Sequence, residues 1–475
     1  MLFDGHCHGE PESTLQFHIV CMLTTFIWEL FAVSVASVST VIYIMLQSSH
    51  VLFSWVSHSC IFILVTKVFS NTWKNIHVRC CQLLYWPIFL QDHNLRYWSC
   101  VEFAEKAASQ KHLMWSNVVV DILLGFFFGI ALWFKAEPVC LWVSNFALDI
   151  TNYWLRTSCV WLMGNPAGFK VNTELAGVLG MISLTAIQIW STLWAYMGFL
   201  LIHFTKGLAL SGILFGLTAA AALVIDTISL VTMHILTLHL FLSLLYSTQI
   251  QAVAALWRLF RGRKWNPLRH RLDSYDYTVE QHVVGSLLFT PIFLLLPTTS
   301  AFYIFFTIVR TTVCFICIII EIAISFIHAT PYAKIILWVK NNKRFPSGIW
   351  FEIAQYRHSE TVATNGNNSS CGKLQKVAYG SSSERTVLVS FLHSNYLNLG
   401  EVVWPHYRSL FSAFSKSSIG SSAYGILSGR SIPCSLGANL PPKLPWIVIP
   451  WKEYWRLCHD SVYACRWRDP YSHMH

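Results

Sequence analysis

The sequence predicts an all-α, polytopic integral membrane protein of about six to eight transmembrane helices, with interfacial amphipathic helices beside them. Three observations predict it. Of 475 residues, 54% are hydrophobic and only 12% are charged, against about 25% charged in an ordinary soluble domain. Apolar windows of bilayer length recur along the chain. Between two of them, WRLFRGRKWNPLRHR packs six of the 33 lysines and arginines into the residues that start at Trp257.

Taken in order, the apolar windows are 17–47, 51–69, 116–136, 175–204, 207–247 and 282–328. A crossing takes about 20 residues of helix, so the last two are long for one crossing each. Pro297, Thr298 and Thr299 supply a break in the last window, which predicts a helical hairpin over 282–328. The window 207–247 reads either as one span with an interfacial continuation or as two spans split near Asp226. The opening MLFDGHCHGE lacks the basic region of a signal peptide, so the first apolar run is expected to stay in the bilayer.

The organisation that follows has N-terminal membrane segments over 1–70 and a polar or interfacial connection over 71–115. A transmembrane core over 116–345 contains the basic loop 257–280 and the hairpin. A flexible linker is expected over 346–385, where the sequence thins to TNGNNSSCG, and a cytosolic C-terminal tail over 386–475. Charge bias places both flanks of the hairpin on the cytosolic side, because Arg258 to Arg271 precede it and Lys334, Lys340, Lys343 and Arg344 follow it. The N-x-S sequons at Asn367 and Asn368 are then expected to carry no glycan.

Net charge of +10 could suggest nucleic acid, but the basic residues cluster at the ends of apolar runs and no nucleic-acid motif accompanies them. The expected partner is the membrane surface. Arg258, Arg261, Arg263, Lys264, Arg269 and Arg271, with Trp257 and Trp265 as interfacial anchors, are candidates for binding lipid headgroups, and equally for setting orientation alone. Apolar residues from Val139 to Trp161 recur at helical spacing opposite Asn145, Asp149, Asn152 and Arg156, which predicts an amphipathic helix. Gly164, Pro166 and Gly168 in GNPAG end it in a tight structural loop.

Charges inside apolar windows need partners or water, since each costs at least about 2.5–3.5 kcal/mol when bare. Asp121 is one. Asp226, Arg310 and Glu321 are the candidates for contacts with a partner subunit, Arg310 and Glu321 sharing a helix face. No catalytic residue, metal or cofactor is assigned. His6, Cys7, His8 and Glu10 do not complete a zinc site, and the fourteen cysteines read mostly as reduced, small apolar residues. Glu352 and Glu360 stand at a spacing some transferases use, but chance supplies such a pair among 23 acidic residues.

WLMGNPAGFKVNTEL, WRLFRGRKWNPLRHRLDS and LLFTPIFLLLPTT, in that order, with PWKEYWRLCHD in the tail, resemble the Q subunit (PIG-Q) of the glycosylphosphatidylinositol N-acetylglucosaminyltransferase. The resemblance runs over about 116–345, with a weaker extension to 460. It departs from the pattern at Arg263, where lysine is expected, and at Pro267, where an aliphatic residue is expected. Many members also carry a long soluble region ahead of the first apolar stretch, and this sequence has almost none there. The resemblance implies an endoplasmic reticulum membrane complex that moves GlcNAc from UDP-GlcNAc to phosphatidylinositol on the cytosolic face, the first step of GPI-anchor synthesis. It implies the other subunits of that transferase as partners, including the catalytic one, along with phosphatidylinositol and membrane lipids. Its own role would be noncatalytic assembly. A lipid transporter or scramblase of the same membrane is the alternative class.

Overall fold

Backbone amides and carbonyls facing hydrocarbon have no water to bond, so long apolar sequence satisfies them within a helix. The computed structural model shows this outcome. It describes residues 11–56, 59–91, 101–164, 166–168, 170–341, 346–357, 386–416, 425 and 444–464. Five described helices are long and apolar enough to cross a membrane: α1 (Pro11–Val56), α5 (Val101–Phe134), α8 (Thr173–Phe215), α10 (Met233–Phe260) and α11 (Val279–Ala329). Between them lie α2 (Cys60–Val68), α3 (Ser70–Leu84), α4 (Trp86–Gln91), α6 (Ala136–Leu148), α7 (Arg156–Met163) and the shorter apolar α9 (Leu217–Val231). The protein is all-α in class, with two antiparallel strand pairs among the described residues.

Several expectations are corrected. The window 51–69 is not a separate crossing, because its first residues finish α1 and α2 has only nine residues, a rise of about 14 Å. The window 207–247 divides at Gly216 and Thr232, not near Asp226.

The hairpin expected over 282–328 is one continuous helix of 51 residues with Pro291 and Pro297 inside it. A proline in a helix forfeits one backbone hydrogen bond, whereas a turn in an apolar setting strands several backbone groups. Packing also carries the helix past Pro297. Thr298 and Thr299 are buried, the Thr298 hydroxyl accepts from the Asn172 amide at 2.8 Å, and Phe302 and Phe306 enter the core. A helix of this length, about 76 Å along its axis, delivers its two ends to opposite sides when it crosses once. The basic loop and the tail therefore cannot both be cytosolic on the strength of a hairpin.

The chain forms two compact units, Met1–Thr330 with Tyr407–His475, and Pro331–His406. In the first, α10 lies along α11, α5 along α8, and the terminal helix α14 (Trp451–Ala464) along α1. Leu155, Cys159 and Leu162 meet Ala176, Leu179 and Ile187 of α8, Ile235, Leu238 and Leu242 of α10, and Phe302 and Phe306 in one apolar core. The tail motif folds back on the N-terminal helix. Tyr454 stacks on Tyr43 at 4.3 Å, the Tyr454 hydroxyl donates to the Leu84 carbonyl at 3.1 Å, and the Tyr43 hydroxyl donates to the Ile449 carbonyl at 2.7 Å.

The second unit contains α12 (Tyr332–Lys340), strand β3 (Pro346–Arg357) paired antiparallel with β4 (Thr386–Tyr396), and the start of α13 (Leu399–Lys416). Part of the expected linker, 346–357, is thus a strand, and the first residues of the expected tail are its partner. Residues 358–385, with both sequons and Glu360, lie outside the described residues, as do His6, Cys7, His8 and Glu10. Cys80, Cys81, Cys159, Cys317 and Cys458 are free and buried, while Cys314 is disulfide-bonded.

Candidate functional site: a closed cycle of buried charges and a basic hairpin

α3 is polar, SNTWKNIHVRCCQLL, and yet Thr72, Asn75, Arg79 and Gln82 are buried along one of its faces. Arg79 is 2% exposed, and its Nη2 lies 2.6 Å from Oδ2 of Asp121 on α5, which is fully buried. Nη1 donates to Gln82 Oε1 at 2.8 Å, and Nη2 reaches Thr218 Oγ1 at 3.3 Å and His328 Nδ1 at 3.4 Å. Arginine has only donors, so His328 accepts at Nδ1 and carries its proton on Nε2. Burial draws the Arg79 pKa below its usual value, and Asp121 pulls it back by its charge and its hydrogen bond.

Asp121 has a second task. The first amides of a helix lack intrahelical partners, and α9 starts after Gly216, which has no side chain to cap them. Asp121 caps them from α5: Oδ1 accepts from the Thr218 amide at 2.9 Å and Oδ2 from its hydroxyl at 2.7 Å. A carboxylate there also meets the positive end of the helix dipole. Gly216 is required twice over, because its φ of +95° is left-handed and a Cβ would run into the Asp121 carboxylate.

Asp226 repeats the device. α3 follows Phe69, which offers no cap, and Asp226 of α9 accepts from the Thr72 amide at 2.8 Å, the Thr72 hydroxyl at 2.7 Å and Asn71 Nδ2 at 3.0 Å. Arg79 of α3 pairs with Asp121 of α5, Asp121 caps α9, and Asp226 of α9 caps α3. The three helices hold one another in a closed cycle, and Asn117 ties in the end of α11 by donating to the His328 carbonyl at 2.6 Å.

Small residues let α5 approach closely enough for this. A Cβ on Gly125 would meet the Gly216 carbonyl carbon and the Leu217 nitrogen at 2.5 Å, and one on Gly129 would meet the Ala209 oxygen at 2.5 Å. Gly125 and Gly129 form a Gly-x-x-x-Gly seam of the kind that packs membrane helices.

The basic segment lies between α10 and α11. Strand β1 (Arg263–Asn266) pairs with β2 (Arg271–Ser274), setting Lys264 opposite Asp273 and Trp265 opposite Leu272. Gly262, at φ +61°, starts the hairpin, and the Tyr275 amide closes it on the Gly262 carbonyl at 2.9 Å. Asn266 shapes the tip: its Oδ1 accepts from the Leu268 amide at 3.0 Å while its Nδ2 donates to Asp273 at 2.8 Å. Arg271 Nε also donates to Asp273 at 2.8 Å, and these bonds, that of Asn266 first, hold the carboxyl below its ordinary pKa. Lys264 lies over the Tyr275 ring at 4.8 Å. Arg258, in the last turn of α10, precedes the hairpin with Trp257, which is exposed.

Of the residues expected to contact a subunit, Asp226 is corrected: it is buried and its carboxylate is used within the chain. Arg310 and Glu321 are half-buried on α11. Gly164 ends α7, and Pro166–Gly168 form a single 3-10 turn with Gly168 at φ +80°. In the amphipathic stretch, Trp142, Phe146, Ile150, Tyr153, Trp154 and Trp161 are exposed along α6, a π-helical turn (Asp149–Leu155) and α7. The sequence reading missed Arg79 and the glycine seam. The polar stripe at 72, 75, 79 and 82 is a local signal, but it reads equally as a solvated helix face.

Membrane-length helices, tied by buried charges and a glycine seam, define a polytopic helical membrane protein. The chain belongs to the Gpi1 family, whose model, described as the N-acetylglucosaminyl transferase component, matches residues 73–347. It is 34% identical over 269 residues to mouse phosphatidylinositol N-acetylglucosaminyltransferase subunit Q, covering 55% of this chain and 46% of that protein. The human subunit Q is 34% identical over 245 residues, 50% of this chain and 32% of its own length. The gpi1 biosynthetic protein of Schizosaccharomyces pombe is 33% identical over 214 residues, 45% and 33% respectively. The matched stretch thus spans a third to a half of these relatives. No solved structure matches the chain.

Proposed function

We propose that this chain is a noncatalytic subunit that assembles and stabilises the enzyme transferring GlcNAc from UDP-GlcNAc to phosphatidylinositol in the endoplasmic reticulum membrane. The single observation that carries this reading is the family match over residues 73–347, the stretch that holds Arg79, Asp121 and Asp226 of the charge cycle and the whole basic hairpin. In that stretch the buried carboxylates of Asp121 and Asp226 are used to join helices, which is the chemistry of a scaffold. The basic hairpin faces the cytosolic leaflet by the positive-inside rule. Arg310 and Glu321, on one face of α11, mark where another subunit would pack. The test is copurification of the tagged full-length chain from native membranes, identification of its companions, and a UDP-GlcNAc transfer assay. Transfer by the copurified assembly, and none by the chain alone, is the expected result. Transfer by the chain alone, or no companion with transferase activity, overturns the reading.

A further inference from the structure

We infer that the β1–β2 hairpin is a membrane-penetrating device whose tip enters an anionic leaflet. It stands on the membrane placement of α10 and α11, not on the subunit reading. Strand alternation puts Trp265 and Leu272 on one face as a cross-strand pair, 49% and 42% exposed, and Leu268 at the tip is 92% exposed. An isolated soluble protein has no use for such a cluster on a small two-stranded unit.

The charge around it selects the occupant. From Trp257 to Thr278, Arg258, Arg261, Arg263, Lys264, Arg269 and Arg271 face only two carboxylates, Asp273 and Asp276. Asp273 is already bonded by Asn266 and Arg271, so the excess is cationic. Apolar side chains at the tip, ringed by arginine and lysine, match a surface that is oily beneath and anionic on top.

The hairpin's position brings it there. It is joined directly to the C-terminus of α10 and the N-terminus of α11, both of membrane-crossing length, so a four-residue strand can reach only about 13 Å from the helix ends. Its shape is set before it meets lipid, by the Gly262–Tyr275 closure, the Asn266 tip and the Tyr277 hydroxyl donating to the Arg263 carbonyl at 3.4 Å.

The test reconstitutes the full chain in nanodiscs with an environment-sensitive fluorescent amino acid at position 268 and brominated acyl chains as quenchers. One set of discs is phosphatidylcholine; the other includes phosphatidylserine. A blue shift with acyl-chain quenching in the anionic discs is expected, lost when Arg263→Glu and Arg269→Glu are combined. Because position 268 is a fully exposed tip, the first measurement needs no variant that perturbs folding. Absence of quenching in the anionic discs, as a protein-binding hairpin would show, overturns the inference. Equal quenching in neutral discs and in the charge-reversed variant overturns the anionic requirement and with it the proposal. Neither outcome bears on copurification, so the two readings fail separately.

Discussion

Breaking the Arg79–Asp121 pair from one side should cost more than removing both charges. Asp121→Asn leaves the Arg79 guanidinium buried at 2% exposure with no counter-charge, a situation that costs about 3–5 kcal/mol. Arg79→Met leaves the carboxylate held by the Thr218 amide and hydroxyl, so its cost falls at the lower end of that range. In the double variant neither member of the pair is charged, Asp226 keeps its own partners on α3, and the side-chain carbonyl that Asp121→Asn leaves in place can still accept from the start of α9, so about 1 kcal/mol is expected, the scale of a weakened cap. At about 2 °C per kcal/mol for a large domain, Asp121→Asn lowers the melting midpoint by about 6–10 °C and the double variant by about 2 °C. The assay heats the tagged full chain in detergent and measures the monodisperse fraction by size-exclusion chromatography. Unfolding under these conditions is irreversible, so midpoints are compared at one heating rate. A double variant as unstable as Asp121→Asn, or an Asp121→Asn protein indistinguishable from the wild type, would refute the coupling and the cycle built on it.

Gly125→Ala should destabilise by at least about 1–3 kcal/mol through overpacking against backbone, while Gly198→Ala, where an added Cβ meets nothing within 4 Å, should leave the melting midpoint unchanged or raised; the same heating assay reads both. Tyr454→Phe removes the bond to the Leu84 carbonyl and keeps the stack on Tyr43, so a loss of about 1 kcal/mol is expected, against a larger loss for Tyr454→Ala; equal losses would show that the contact is not packing-dominated. In the second unit, Lys334 lies 3.3 Å from His406 Nε2, and burial first, then Lys334, lower the His406 pKa from its usual 6.5. The unfolded chain then takes up a proton before the folded one does. Stability is full above about pH 6.5 and falls as pH drops from there toward the folded value, and His406→Gln should flatten that part of a pH–stability profile. If the basic hairpin is cytosolic and α11 crosses once, Ala329 emerges on the luminal side and a glycosidase-sensitive mobility shift from Asn367 or Asn368 is the expected readout; an unshifted band would return both flanks to one side.

The membrane helices were legible because their signal is local. A run of apolar residues long enough to cross must satisfy its own backbone, and α1, α5, α8, α10 and α11 each contain such a run. Even the Gly216 break was visible in principle, since glycine is the residue that takes φ of +95° without strain. The charge cycle was not legible, for the opposite reason. Arg79 and Asp121 are 42 positions apart, and Thr72 and Asp226 are 154 apart, so nothing near either residue says that its counter-charge exists. Without that knowledge, Asn75, Arg79 and Gln82 on one helix face mean solvent, and a buried Asp226 means a partner subunit. Pro297 misled through the same gap. Proline lowers the preference for helix by an amount fixed locally, but whether the chain turns depends on the packing of Thr298, Phe302 and Phe306 against α8 and α10, which local sequence does not report. Asp121 and Asp226, which tie α3, α5 and α9 together, are charges inside apolar sequence. Each one implies a partner that only the fold can name, and here the partners for Asp121 and Asp226 lie within the chain itself.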